Sequence, residues 1–402
     1  MSEVPPTSVP PRVPRPKPPV VTDSPRLTRL RPDGVEAFWA QVTHDGTPMV
    51  ERDGADVLIT FLWRERRPTR DVLVLANKLA DRADLGLSRM RRMPGTDLWH
   101  LTYRLPADWQ GSYHFAPDES DSPADDTAAH WRQVAQNLVQ DPGNPRVLPQ
   151  EKPPHKSIAA GPVAAAGPHW WQHDPAVPAG RLDTVDLPRR VWRYRPPGWT
   201  AGAGPYPLLV LLDGDIWGPL LPVSVTLDNL IAAGRIPPVV ALLPDSGDRV
   251  TRFTEYACDP GFAKFLSTDL IESAGRELNP DPDPARTVIA GQSLGGLAAA
   301  FAALRAPHRF GNVLTQSGAF WWPSTTPDPE RLTRSLATGD RLPIRWHVEA
   351  GTDEWVALGP NRRLRDALTA RGYQLTYAEF AGGHDRLCWR ARFGDALAGL
   401  LA

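Results

Sequence analysis

Gly291-Gln292-Ser293-Leu294-Gly295 has the spacing G-x-S-x-G, in which a sharp strand-to-helix turn lifts a serine hydroxyl out of a sheet and small flanking residues relieve the crowding. In a chain with 32 glycines the letters alone are weak, so the neighbours decide. Thr287 to Ala290 precede the motif as a buried-strand run, and Gly296 with the Ala-rich Leu297 to Ala303 follows as a closely packed helix. A serine hydroxyl is not nucleophilic at its free pKa. It needs a base, and the base needs an orienting acid, arriving in the chain order serine, acid, histidine. Three histidines lie downstream: His308, His347 and His384. His308 ends the helix after the elbow and His347 sits inside a strand ahead of any acid loop. His384, in the Gly-rich loop Ala381-Gly382-Gly383-His384-Asp385, is therefore the base by elimination.

The acid is expected after the strand Ile344 to Ala350, where Glu349, Asp353 and Glu354 are the candidates. Glu349 still belongs to the strand, whereas Asp353 and Glu354 lie past Gly351 where a carboxylate can reach an imidazole. Glu354 is preferred and Asp353 stays open. Asp385 is disfavoured because it adjoins the histidine it would have to orient. Attack on an ester also creates an oxyanion that needs N–H donors. The N–H of Leu294 is one, and Gly214 or Asp215, in the loop Leu212-Asp213-Gly214-Asp215, supplies the other.

These residues need a sheet to carry them. Val191 to Gly198, Pro207 to Gly214, Pro237 to Pro244, Arg286 to Gly291, Asn312 to Gly318, Ile344 to Gly351 and Gln374 to Phe380 read as near-continuous apolar strands. Helical patterns at Phe262 to Glu277, Leu294 to Leu304 and Asn361 to Arg371 alternate with them, which means a mostly parallel sheet buried on both faces. Residues 187–402 are thus an α/β domain with an α/β-hydrolase elbow. Before it, Val57 to Trp63, Val72 to Ala76, Leu98 to Leu105 and Trp109 to Pro117 are short β-rich runs without a long helical pattern, so residues 27–145 are expected to form a small β-sandwich, early-set immunoglobulin-like, with Trp63, Trp99 and Trp109 in its core. Residues 146–186, rich in Pro, Gly and Ala, read as a linker, and the dense Pro cluster of residues 1–26 as a disordered tail.

The chain length of 402 residues accommodates two domains. Forty-five basic residues against 46 acidic give a net charge of −1, so the broad basic field that nucleic-acid binding needs is missing. Cys258 and Cys388 are too few for a disulfide framework or a zinc site, and no metal or cofactor is expected. The longest uncharged apolar stretch, Val288 to Leu304, is short for a membrane span and is interrupted by Gly, Gln and Ser. With no apolar segment near the N-terminus, a cytoplasmic location follows as the expectation. Oligomeric state is not readable.

The C-terminal half resembles the enterochelin (enterobactin) esterase family of the esterase D-like α/β-hydrolases. The resemblance is carried by Leu211 to Trp217, Arg252 and Glu255, Val288 to Ala299, Leu314 to Pro323, Glu349 to Glu354 and Gly382 to Trp389. Phe61 to Arg64, Gly95 to Leu101, Asp108 to Phe115 and Asp141 to Pro145 are similar to that family's leading sandwich. It implies a cytoplasmic hydrolase that opens the ester (trilactone) backbone of a ferric catecholate siderophore, such as ferric enterobactin, with iron entering only as part of the substrate. It also implies Ser293 as nucleophile, His384 as base and Glu354 as acid. Two departures stand out: Asp215, where the family commonly has a neutral residue, and the Pro-rich tail. A ferric tris-catecholate is an anion with flat rings, so guanidinium and aromatic groups should meet it. Arg252, expected to be exposed and paired with Glu255, and Trp217, Trp321 and Trp322 are the candidates. Two rival readings share the sequence: a general carboxylesterase of feruloyl-esterase type, and a carbohydrate- or partner-binding protein whose hydrolase domain is only a scaffold.

Overall fold

A computed structural model describes residues 3–81, 83–120, 127–166 and 169–402. Among the described residues the N-terminal half has nine strands, β1 (Val20–Thr22), β2 (Met49–Asp53), β3 (Asp56–Arg64), β4 (Asp71–Ala76), β5 (Arg91–Arg92), β6 (Leu98–Pro106), β7 (Gln110–Asp118), β8 (Val147–Leu148) and β9 (Lys156–Ala160). They form two sheets, one in the order β1-β6-β3-β2 with β5 on β6, the other in the order β4-β7-β9-β8, and the pairings are antiparallel. Side chains alternate along each strand, so Val57, Ile59 and Phe61 of β3 join Val72 and Val74 of β4, Tyr113 and Phe115 of β7, Trp99 and Trp109 in one core. The aromatic pair Phe61 and Tyr113 meets edge to face at 4.7 Å. Leu62 and Leu98 point the other way, under Phe38, Trp39 and Val42 of the helix Val35–Asp45. That second layer is why the run Val57 to Trp63 is apolar at every position but Thr60 instead of alternating.

Two boundaries differ from the sequence reading. The stretch read as linker is built into both sheets around it: β8 and β9 extend the sandwich, while Arg181–Asp186 pairs along its whole length with the next strand of the catalytic sheet. The Pro-rich segment read as a disordered tail is also ordered from residue 3. Proline cannot build a core, but its carbonyls still accept hydrogen bonds; Thr7 O takes the N–H of Ser324 at 3.0 Å and Val13 O takes the indole N–H of Trp355 at 3.1 Å. Val20–Thr22 then becomes an edge strand on β6.

The sheet of the C-terminal half has eight strands: β10 (Arg181–Asp186), β11 (Arg190–Arg195), β12 (Leu208–Leu211), β13 (Val240–Pro244), β14 (Thr287–Gln292), β15 (Asn312–Gln316), β16 (Arg345–Gly351) and β17 (Gln374–Phe380). Their order is β10-β11-β13-β12-β14-β15-β16-β17. From β13 to β16 the neighbours run parallel, and β10 and β11 close one edge in antiparallel fashion. The helix expected over Phe262 to Glu277 is regular only over Pro260–Lys264, after which wider π-type turns carry the chain to Gly275. The chain divides into two compact units. One holds the eight-stranded sheet and the residues up to Val13; the other holds the sandwich together with Phe380–Cys388, a segment from near the C-terminus.

Candidate active site

The apolar run Thr287–Gln292 is a fully buried strand, and its last residues must turn into a helix within one peptide. Ser293 makes that turn at φ 57°, ψ −125°, a backbone region that non-glycine residues occupy only when the surroundings hold them there. The surroundings are specific: Ser293 N donates to Gln316 O of β15 at 3.1 Å, and Ser293 O accepts from Ala319 N at 2.9 Å. Gly291 is required for the same turn, since a Cβ there would lie 2.3 Å from Gly295 O. The helix Leu294–Arg305 follows, and Leu294 is its first residue, so its N–H has no carbonyl one turn back inside the helix. Gly214 holds the same position in the short helix Gly214–Trp217 after β12. Because β12 and β14 are parallel neighbours with Leu211 opposite Ala290, both helix starts lie at the carboxyl ends of adjacent strands, where α/β sheets gather ligands.

The residue between β12 and Gly214 is Asp213, in the left-handed conformation at φ 58°, ψ 50°. Its carboxylate is gripped by one edge of the Arg252 fork, Nε at 2.6 Å and Nη2 at 2.9 Å, and its N–H donates to the Tyr256 hydroxyl at 3.1 Å. Burial pulls the Arg252 guanidinium pKa down, but Asp213 outweighs it and holds the group above its ordinary value. Here the sequence expectation needs correcting. Glu255 pairs with Arg189, not with Arg252, and the guanidinium proposed to read an anion has one edge committed to the loop that presents Gly214. Asp215, the departure from the family pattern, is part-buried and accepts Ser246 N at 3.1 Å. Burial raises its carboxyl pKa above the usual range, and the Asp213 charge adds to the effect.

The tryptophans are also corrected. Trp217 is 3% exposed; its indole donates to Gln292 Oε1 at 2.9 Å and its ring stacks on Phe393. Trp321 and Trp322 lie in the main core, with Arg331 over the Trp322 ring. An indole enclosed in this way offers a substrate no open face.

Of the acids, Glu354 is 1% exposed, and its Oε1 accepts Ser317 Oγ at 2.5 Å and Gly351 N at 2.9 Å. Ser317 in turn accepts the indole N–H of Trp389 at 2.9 Å. Asp353 is only part-buried. Glu349 stays in β16, as expected, and is spent on a buried network with His347 at 3.1 Å, Arg392 at 3.1 Å and Gln316 at 3.0 Å. Burial opposes its charge, but those partners hold its carboxyl below the ordinary value. His308 is exposed beyond the elbow helix. His384 sits between β17 and the helix Arg386–Leu401, part-buried, and its carbonyl accepts Asn77 Nδ2 at 2.8 Å.

The side-chain row that joins these strand ends escaped the sequence reading. Gln292, Gln316 and Glu349 are successive neighbours across β14, β15 and β16, and their side chains are joined by Gln292 Nε2 to Gln316 Oε1 at 3.0 Å and Gln316 Nε2 to Glu349 Oε2. The repeated Gln-Ser at 292–293 and 316–317 was the available signal, because a polar residue ending each of two apolar strands marks one edge of the sheet. Arg189 left no comparable mark. Among the described residues no group of three or more His, Cys, Asp or Glu side chains is placed to hold a metal, and no helix is long and apolar enough to cross a membrane.

A serine on such an elbow, at the carboxyl edge of a mostly parallel sheet, defines an α/β-hydrolase-type esterase. Residues 58–171 match the family described as enterochelin esterase, N-terminal, and residues 184–400 the family described as putative esterase. The iron(III) enterobactin esterase of Dickeya dadantii (strain 3937) is 34% identical over 92% of this chain and 93% of its own length. The crystal structure of the ferric enterobactin esterase of Salmonella typhimurium is similar at a TM-score of 0.79 and 31% identity, over 91% of this chain and 98% of that one. That of the Shigella flexneri enterobactin esterase in the presence of enterobactin gives a TM-score of 0.76 and 30% identity over the same shares. The chain belongs to the enterobactin esterase family, and it is an esterase.

Proposed function

We propose that this esterase hydrolyses the ester backbone of a ferric catecholate siderophore of the enterobactin type, in the cytoplasm, so that the iron it carries can be released. Ser293 Oγ attacks the ester carbonyl while His384 takes its proton; His384 then returns that proton to the departing serine alkoxide of the trilactone. Water, deprotonated by the same imidazole, releases the acyl group and regenerates the enzyme. Glu354 holds the imidazole in the tautomer that can accept a proton, and the N–H groups of Leu294 and of Gly214 or Asp215 stabilise the oxyanion. The chemistry is carried by a full set of protein groups, with iron entering only as substrate.

The observation that carries this reading is the strained Ser293 turn in a chain that matches the enterochelin esterase N-terminal and esterase families in succession. The test is chromatographic analysis of products from a panel of ferric and iron-free siderophores beside a nitrophenyl ester. Linear and monomeric catecholate-serine acids should appear, with kcat/KM for the catecholate triester at least about a hundredfold above that for the nitrophenyl ester, a gap of about 2.7 kcal/mol in transition-state binding. Preference for simple acyl esters would instead make this a general carboxylesterase. Lack of turnover on every ester would return the chain to a binding role.

A further inference from the structure

The segment bearing His384 is a turn of two glycines, a histidine and an aspartate between β17 and the last helix. Its shape comes from the sandwich, from residues around 300 positions away. Gln110 N donates to Ala381 O at 3.3 Å, and Cys388 Sγ donates back to Gln110 O at 3.4 Å. Asn77 Nδ2 donates to the carbonyl of His384 itself at 2.8 Å. Ser112 donates twice to Asp385 Oδ2, from its N–H at 2.7 Å and its hydroxyl at 2.6 Å, while the other carboxylate oxygen accepts Leu387 N at 3.0 Å. Asn77 and Ser112 are themselves joined, Asn77 N to Ser112 O at 2.9 Å. Gly383 is pressed so closely onto the Asn77-Lys78 turn that a Cβ would lie 2.6 Å from Asn77 Oδ1. Asp385 is 2% exposed, so its hydrogen bonds to those donors are made away from bulk water.

We propose that the β-sandwich sets the catalytic base: Ser112, through Asp385, and Asn77, through the His384 carbonyl, are positioning residues that fix both peptide groups flanking the imidazole. The proposal rests on His384 being the base. It also gives the N-terminal domain a part in catalysis that does not require it to bind substrate. A base displaced by a fraction of an ångström loses rate without losing substrate affinity, and removing the outer hydrogen-bond partners of metal ligands, an analogous case, typically costs about ten- to a hundredfold.

The experiment uses the full chain with Ser112→Ala, Ser112→Thr and Asn77→Asp, the last an isostere whose ionised carboxylate cannot donate to the His384 carbonyl. Ser112→Ala and Asn77→Asp should each lower kcat about tenfold or more on both a ferric siderophore and a nitrophenyl ester, with KM within about twofold. Ser112→Thr, which keeps both donors, should recover most of the loss. In a His384→Ala background the same changes should cost nothing further, because they act through the imidazole. Unchanged kcat in both variants, or an equal further loss in the His384→Ala background, would overturn the proposal. Should Ser112→Ala fail to fold, Asn77→Asp decides alone. If His384→Ala itself kept wild-type turnover, the assignment of the base would fall instead, and the two failures are thereby distinguishable.

Discussion

Ser293 and His384 owe their positions to opposite kinds of information. The serine turn is made by its own neighbours: a buried strand, a glycine whose Cβ would strike the next turn, and a helix that starts at once, all within residues 287–305. The histidine turn is made by Asn77, Gln110 and Ser112, with 307 residues separating Asn77 from His384. Local strain builds the first and distant hydrogen bonds build the second. On the proposed roles, the nucleophile is the sturdier half of the chemistry, and the base is the half that the N-terminal domain would disturb.

The largest effect should come from removing either side chain outright. Ser293→Ala and His384→Ala are each expected to lower turnover by several orders of magnitude with the melting temperature nearly unchanged. Residual activity above about a tenth of wild type in either would break the comparison at its root.

Arg252→Ala tests the loop beside the serine turn. The variant leaves the Asp213 carboxylate stranded, and the loss of one partner of a buried pair costs up to about 3–5 kcal/mol of stability. Because the guanidinium grips the loop that presents Gly214, turnover should fall by a similar factor, about tenfold, on a ferric siderophore and on a small neutral ester. Loss confined to the siderophore, seen as a raised KM, would return Arg252 to direct recognition of the anion.

The acids sharpen the comparison further. Glu354 is buried and bonded to Ser317, a residue of the same strand end that receives the Ser293 N–H one position earlier. Glu354→Gln should therefore reduce kcat by about a hundredfold or more and Asp353→Asn by less than about threefold. The reverse ranking would move the acid to Asp353, and small equal effects would leave a serine-histidine pair.

The strand-and-helix rhythm of residues 187–402 was readable because parallel strands buried on both faces are continuous apolar runs, and Ser293 was readable because its turn is local. The wrong readings share one physical cause. Arg252 was assigned Glu255 because the two are close in sequence, but Asp213, 39 residues away along the chain, reaches it from an adjacent strand end. Residues 146–186 looked like a linker because Pro, Gly and Ala bury little, yet their backbone N–H and C=O groups still pair, and β8, β9 and β10 are held by that pairing. Trp321 and Trp322 were placed on loops correctly, whereas Trp217 ends the short helix Gly214–Trp217. Their enclosure depends on Phe393, Arg331 and the elbow helix, which no local pattern reports.

The smallest effect belongs to Asp215→Asn. Burial holds the Asp215 carboxyl above the usual carboxylate pKa, so its charged form is disfavoured in the folded state and its contribution to stability falls as pH rises through that raised value. The neutral amide should raise the melting temperature slightly at pH 7, and the gain should vanish below the ordinary carboxylate range. A gain that persists at low pH would mean the charge is not its cause.

The central claim is that Ser293 opens a catecholate siderophore ester. Its most direct measurement is quantitative chromatography of the products formed from a ferric tris-catecholate triester by the wild-type chain and by Ser293→Ala under identical conditions. The account predicts linear and monomeric catecholate-serine acids from the wild type and at least a thousandfold less from the variant. Comparable product from both proteins, or a wild type that leaves the triester intact while cleaving simple esters, would contradict it.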